Sequence, residues 1–289
     1  WALLFRGEIN LHWLPLAFAM EFGFGQAFKW SEQRSHYAPV VVSTNYLALA
    51  SLLAVYYMVK GELSIDSRTA LLGLVTGTIF VSAMLTMTYT LTLVKASAVL
   101  TAFRMSLVVP TAVSALVWGE PFSGGQVFGV LLAICALVLM TRDAGALIHL
   151  GNKQSLGLVM LVFCLQGSSL TCLRWVQYAG LGSDQPKFLM VTGLVAGLWG
   201  LLFLALNRHR PLSGELATGV GIGVYNLAAL MVILTALEQV PGTIFFPLMG
   251  CTVVVLDNLA ARFLWQEQLP RTALAGIALA LLAIVIVLQ

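Results

Sequence analysis

Charge is what this chain has least of: 9% of its 289 residues are Asp, Glu, Lys or Arg, against roughly 25% in a soluble domain. That shortage, with 60% hydrophobic residues and a mean hydropathy of +0.94, excludes an ordinary soluble domain and points to a polytopic membrane protein. Long polar loops are also missing, which leaves no room for a soluble domain beside the apolar runs. The net charge of +3 is scattered, with no basic tract of the kind that binds nucleic acid. Four cysteines, Cys135, Cys164, Cys172 and Cys251, all fall in apolar runs without CxxC or metal-like Cys/His spacing, and read as small apolar residues. The histidines (His12, His36, His149, His209) are dispersed, and no HExxH, GxSxG or phosphate-loop pattern occurs. An enzyme is therefore not expected, and no cofactor or metal is called for. No cleavable secretory signal is evident, and because the chain begins at Trp1 without a methionine its ends are expected to be trimmed.

What is present is a series of ten apolar runs, at 11–31, 38–59, 69–92, 95–118, 125–141, 154–177, 186–206, 215–237, 241–264 and 271–289. Short polar breaks separate them, such as 60–68, 119–125, 142–153 and 207–215. The expectation is an all-α membrane protein of ten transmembrane helices. An internal repeat divides it. At an offset of 146 Gly73 meets Gly219, Gly77 meets Gly223 and Val94 meets Val240; at 147 Glu120 meets Glu267 and Gly129 meets Gly276; at 145 Lys29-Trp30 meets Arg174-Trp175. The halves, 1–142 and 153–289, each hold five spans. An odd number of spans sets them in opposite orientation, the inverted repeat from which many secondary transporters are built with the substrate at midplane.

Two spans carry charge in their interior. In Lys95–Glu120, Arg104 lies ~14 Å along the helix from Lys95. A charge that deep costs at least ~2.5–3.5 kcal/mol if it faces lipid, so a cavity or a partner is expected. Asp257 occupies a similar depth in the second copy, at 240–267, and the two side chains could meet or face one cavity. They either hold opposite charges of a substrate or form a buried ion pair that fixes register; Asp257 is also a candidate carrier of a coupling proton. Glu21, inside LAFAMEFGFGQAF, is a second proton-coupling candidate, or else a carboxylic acid satisfied by a neighbouring hydroxyl. Lys29, Lys95 and Arg174 sit at span ends, where anchoring at the headgroups is the plain reading for the last two. Asn45, Tyr46, Thr86, Tyr89, Tyr225 and Asn226 are candidate cavity-lining groups, with interhelical hydrogen bonding as the alternative. Trp30, Trp118, Trp175 and Trp265 read as an interfacial belt. Pro110 and Pro247 are expected to kink spans four and nine.

Ten short spans arranged five plus five, Lys29 near the end of the first, Gly119-Glu120-Pro121 with Gly129, and Glu267 with Gly276 resemble the drug/metabolite transporter superfamily, in particular its EamA-type members. The second copy departs from that pattern in reading Trp265-Gln266-Glu267. The resemblance implies a central cavity surrounded by spans three, four, eight and nine, peripheral spans five and ten, and alternating access with export or exchange of small metabolites. It also places Lys29 as a family lysine and both termini in the cytoplasm. A count of Lys and Arg by side disagrees, five with the N-terminus against nine opposite, which would set the N-terminus outside.

The function expected is secondary active transport of a small organic metabolite, amino-acid-like or amphipathic. Substrate contacts are expected at Arg104, Asp257, Asn45, Tyr46, Tyr89, Tyr225, Asn226 and Lys29. An exchanger of anionic metabolites, a lipid carrier, and a membrane-embedded enzyme or scaffold are the other readings. The expected surroundings are a bacterial inner membrane and its lipid, with a second copy of the chain as a further candidate partner.

Overall fold

The structure is a computed structural model, and it describes residues 13–94, 96–120, 123–141, 153–264 and 271–287. Lys95, Pro121, Trp265, Gln266, Glu267, His12 and His149, singled out above, lie outside the described residues. The described chain is all-helical. Its helices are α1 (Trp13–Gln33), α2 (Ala38–Lys60), α3 (Ser67–Leu93), α4 (Ala96–Met105), α5 (Val108–Leu116), α6 (Gly124–Thr141), α7 (Lys153–Tyr178), α8 (Gln185–Leu206), α9 (Ser213–Gln239), α10 (Gly242–Phe263) and α11 (Arg271–Val287). A one-turn 3₁₀ segment, Gly182–Asp184, leads into α8. Among the described residues, six helical stretches are long and apolar enough to cross a bilayer: those of α2, α3, α7, α8 with its 3₁₀ lead, α9 and α10. Shorter apolar stretches run through Ala102–Leu116, Gly124–Ala136 and Leu274–Val287.

The ends of these helices are written in local sequence. Pro39 and Pro186 occupy first-turn positions of α2 and α8, where a missing N–H costs nothing. Asp66 caps α3 by accepting from the Arg68 amide at 3.0 Å. Ser123 and Gln126 form a reciprocal capping box at the start of α6, with bonds of 3.2 and 2.9 Å. Gly61, at φ +71°, closes α2 in the left-handed conformation that glycine adopts without strain.

One expected span is not continuous. The fourth run breaks at Ser106 and Leu107 into α4 and α5. Pro110 has no N–H to offer the Ser106 carbonyl, so the α-helical bond across the break cannot form. The shorter bond from the Val109 amide to that carbonyl, at 3.0 Å, takes its place. Pro247 has no such effect, and α10 runs through it.

Helix packing follows a simple scheme. α2 lies along α8 and α9, α3 along α8 and α7, and α1 against α9 and α10. α4 and α5 pack on α7, α5 on α10, α4 on α6, α10 on α11, and α6 on α11. The tightest contacts use glycine. A Cβ built on Gly77 would stand 2.5 Å from the Thr192 carbonyl oxygen, and one on Gly73 2.7 Å from the Val191 Cβ, so α3 meets α8 backbone to backbone. α9 meets α2 in the same way, with Gly223 2.5 Å from the Asn45 carbonyl and Gly219 2.6 Å from the Thr44 Cβ.

The turns define two ends. At one, the turn between α1 and α2 joins the start of α9: the Tyr37 amide donates to Glu215 at 2.9 Å, and the Tyr37 ring lies 4.2 Å from that of His209. α9 then runs 27 residues, or ~40 Å at the α-helical rise, to the opposite end, where α10 begins beside Glu120.

Overpacking in a filled interface costs ~1–3 kcal/mol. Gly77→Ala and Gly223→Ala are each expected to lower the melting temperature of the detergent-solubilised protein. Gly157→Ala, where a Cβ meets nothing within 4 Å, is expected to leave it unchanged or raise it slightly. Equal melting of all three would contradict the packing described.

Candidate functional site

A small cleft opens beside the break between α4 and α5, lined by Glu21, Phe103, Arg104, Leu107, Gln166, Leu170, Met249, Gly250 and Val253. Four parts of the chain supply it: α1, the α4–α5 break, α7 and α10. Spans three and eight, which the resemblance places around the cavity, do not line this cleft. Their glycine faces are spent in backbone contact with α8 and α2, so α3 and α9 act as buttresses.

Arg104 and Asp257 meet. The Arg104 guanidinium donates to Asp257 Oδ2, and Gln26 donates to Asp257 Oδ1 at 3.1 Å. Both carboxylate oxygens are thus engaged, one by charge and one by an amide. Arg104 sits in the last turn of α4, where the free carbonyls of a broken helix favour a cation. Gly25 of α1 faces the guanidinium, and a Cβ there would stand 3.9 Å from Arg104 Nη2, an ordinary contact. The two side chains keep 20% and 25% of their surface accessible, so the pair borders a space that solvent reaches.

Glu21 faces the same cleft and lies within electrostatic range of both Arg104 and Asp257. Lys29 is within that range of Asp257. Tyr225 closes over α1, its hydroxyl donating to the Met20 carbonyl at 3.0 Å, while Gly23 leaves room for the ring. Tyr46 is buried against Phe80, 6.2 Å between ring centres, with Glu21 in electrostatic range. Asn45 and Asn226 are buried and bonded to each other, Nδ2 to Oδ1 at 3.1 Å, as an interhelical tie between α2 and α9. Tyr89 is 54% exposed on α3 and is not brought to the cleft.

Two participants escape a reading by sequence. Gln26 and Gln166 are neutral and sit in apolar runs, although a polar residue near the middle of a span is the signal that could have flagged Gln166. A third group corrects an expectation. Arg174 is not an anchor at the headgroups but is buried, with Nε 2.7 Å from Glu120 Oε1, and Nη1 donating to the Leu237 carbonyl. Trp118, expected in an interfacial belt, stacks on Tyr178 with ring centres 4.6 Å apart.

No family model matches the chain. An uncharacterized protein of Haemophilus influenzae is 26% identical over 184 residues, a stretch that covers 63% of this chain and 62% of that protein. The match therefore spans less than two thirds of the relative's length. A crystal structure of another protein superposes on 98% of this chain and 97% of its own, with a TM-score of 0.78 and 12% sequence identity, which is a likeness of fold.

Removing one member of a buried pair costs ~3–5 kcal/mol, and a half-accessible pair less. Asp257→Asn is expected to lower stability by ~1–3 kcal/mol, and adding Arg104→Gln should restore most of that loss. A double variant no more stable than Asp257→Asn in detergent melts would show that the two groups are not coupled.

Proposed function

We propose that the chain is a secondary transporter that carries a small organic metabolite across a membrane by alternating access, built as two inverted five-span halves of the drug/metabolite, EamA-like kind. The observation that carries this reading is the composition of the cleft. Exchange the halves, so that α1 stands for α7, α2 for α8, α3 for α9, α4–α5 for α10 and α6 for α11. The four elements that line the cleft then map onto one another. The packing scheme supports the same exchange. The pair α2·α9 becomes α8·α3, α1·α9 becomes α7·α3, α1·α10 becomes α7·α4–α5, and α4·α6 becomes α10·α11. The glycine contacts repeat residue by residue: Gly73 and Gly77 rest on Val191, Thr192 and Val195, and Gly219 and Gly223 on Thr44, Asn45 and Ala48. A binding site between inverted repeats is the arrangement that lets one rocking motion expose it to either side. The setting proposed is a bacterial inner membrane.

The charges favour a zwitterion over an anion. Arg104 is already matched by Asp257, so an anion alone would have to displace that carboxylate without return. A solute with both an ammonium and a carboxylate group places the first on Glu21 and the second on Arg104. Gln26 then retains a bond to Asp257 while the Arg104 contact is exchanged. Phe103, Leu107, Leu170, Met249 and Val253 offer an apolar wall to the rest of the solute. Glu21, the carboxylate that lines the cleft, takes up a proton when the solute leaves, which couples transport to a proton gradient.

Counterflow of labelled amino acids in proteoliposomes tests this directly. A charge-assisted hydrogen bond is worth ~1.5–3 kcal/mol, so Arg104→Ala should slow counterflow about tenfold or more. Glu21→Gln should abolish acceleration by an imposed pH gradient. Absence of counterflow for zwitterions, with robust counterflow of organic anions, would replace this substrate class. Absence for every solute would end the transport reading.

A further inference from the structure

Glu120 is the most heavily engaged carboxylate among the described residues, and it lies away from the cleft charges, at the end where α9 finishes and α10 begins. It accepts from Arg174 Nε at 2.7 Å, from the Tyr178 hydroxyl at 2.9 Å and from the Thr243 amide at 2.9 Å, with Arg174 Nη2 also 2.7 Å from Oε1. Arg174 in turn bonds the Leu237 carbonyl at the end of α9. Glu120 belongs to the first half of the chain, and its three partners Arg174, Tyr178 and Thr243 to the second. The Arg174 and Glu120 side chains keep only 9% and 4% of their surface accessible, against 20% and 25% for Arg104 and Asp257. Arg174 lies one helical turn beyond Leu170, a residue of the cleft wall.

From this placement we infer that Glu120 and Arg174 form the gate that seals the cleft at this end. The inference rests on the alternating-access reading proposed above. If the halves rock about the cleft, contacts that bridge them at one end must separate when that end opens. Here those contacts converge on a single carboxylate. Tyr178 and the Thr243 amide hold Glu120 in place so that the guanidinium meets a fixed partner, and the Trp118–Tyr178 stack continues the layer outward. Loss of the pair removes stabilisation from the sealed state alone, so the population shifts toward opening at the Glu120 end. A purely structural clasp would behave differently, loosening the protein without favouring one side.

The test is side-specific labelling of Leu170→Cys in a variant whose four native cysteines are replaced by alanine, using a membrane-impermeant maleimide in sealed vesicles. Ser183→Cys, in the exposed turn between α7 and α8, marks the face of the Glu120 end. In the parent, Leu170→Cys should react from the opposite face and barely from this one. Glu120→Gln should raise labelling from the Ser183 face about tenfold and lower it from the other by a similar factor. Tyr178→Phe, which removes one hydrogen bond and no charge, should shift both rates the same way on a smaller scale, and stands in if Glu120→Gln does not fold. Unchanged rates, or a rise from both faces, would overturn the gate. Reciprocal labelling without counterflow of any solute would keep the gate and remove the transport reading; counterflow without reciprocal labelling would do the reverse.

Discussion

An arginine deep in an apolar helix has to find an opposite charge before anything else about the bundle can settle. Arg104 finds Asp257, and that requirement organises much of the molecule. It draws α4 to α10 and brings α1 in with Gln26 and the small residue Gly25. The half-chains meet there through charge rather than through apolar packing alone. An ion pair of this kind is weak evidence for stability, because its desolvation offsets most of the attraction. Its partial accessibility is therefore the more telling property. Its accessible surface borders a cleft.

The cleft exists because other contacts are so close. Glycines on α3, α8 and α9 let these helices lie against their neighbours, so that α3, α8, α2 and α9 pack as one continuous series. The cleft lies outside that series, bounded by α1, α7, α10 and the broken path of α4 and α5. Pro110 supplies the break, and Phe103, Arg104 and Leu107 present their side chains beside it.

Much of this was legible in the residues. Hydropathy placed the helices to within a few positions, because a twenty-residue apolar run has few other uses. A meeting of Arg104 and Asp257 was legible from their similar depth as one of two outcomes, the other being a shared cavity that each would face. The pairing of Glu120 with Arg174 did not follow. Both stand at span ends, where water and headgroups are as good a partner as a carboxylate, and only the packing of α5, α7, α9 and α10 decides between them. The mutual bond of Asn45 and Asn226 has the same character: a polar residue within a span needs a partner, but sequence does not say whether a solute or another helix provides it. The lining of the cleft by α1 and α7 rather than α3 and α9 depended on which small-residue faces were consumed by close packing. Glycine spacing hints at this without identifying the partner helix.

The proposed transport reading requires two five-span halves of opposed orientation. The turn between α1 and α2 lies at the Glu215 end, and the turn between α7 and α8 lies at the Glu120 end. The most direct measurement is the sidedness of single cysteines at Ser35 and Ser183 in sealed vesicles. Modification of the two from opposite faces is the result expected here; modification of both from the same face would contradict it.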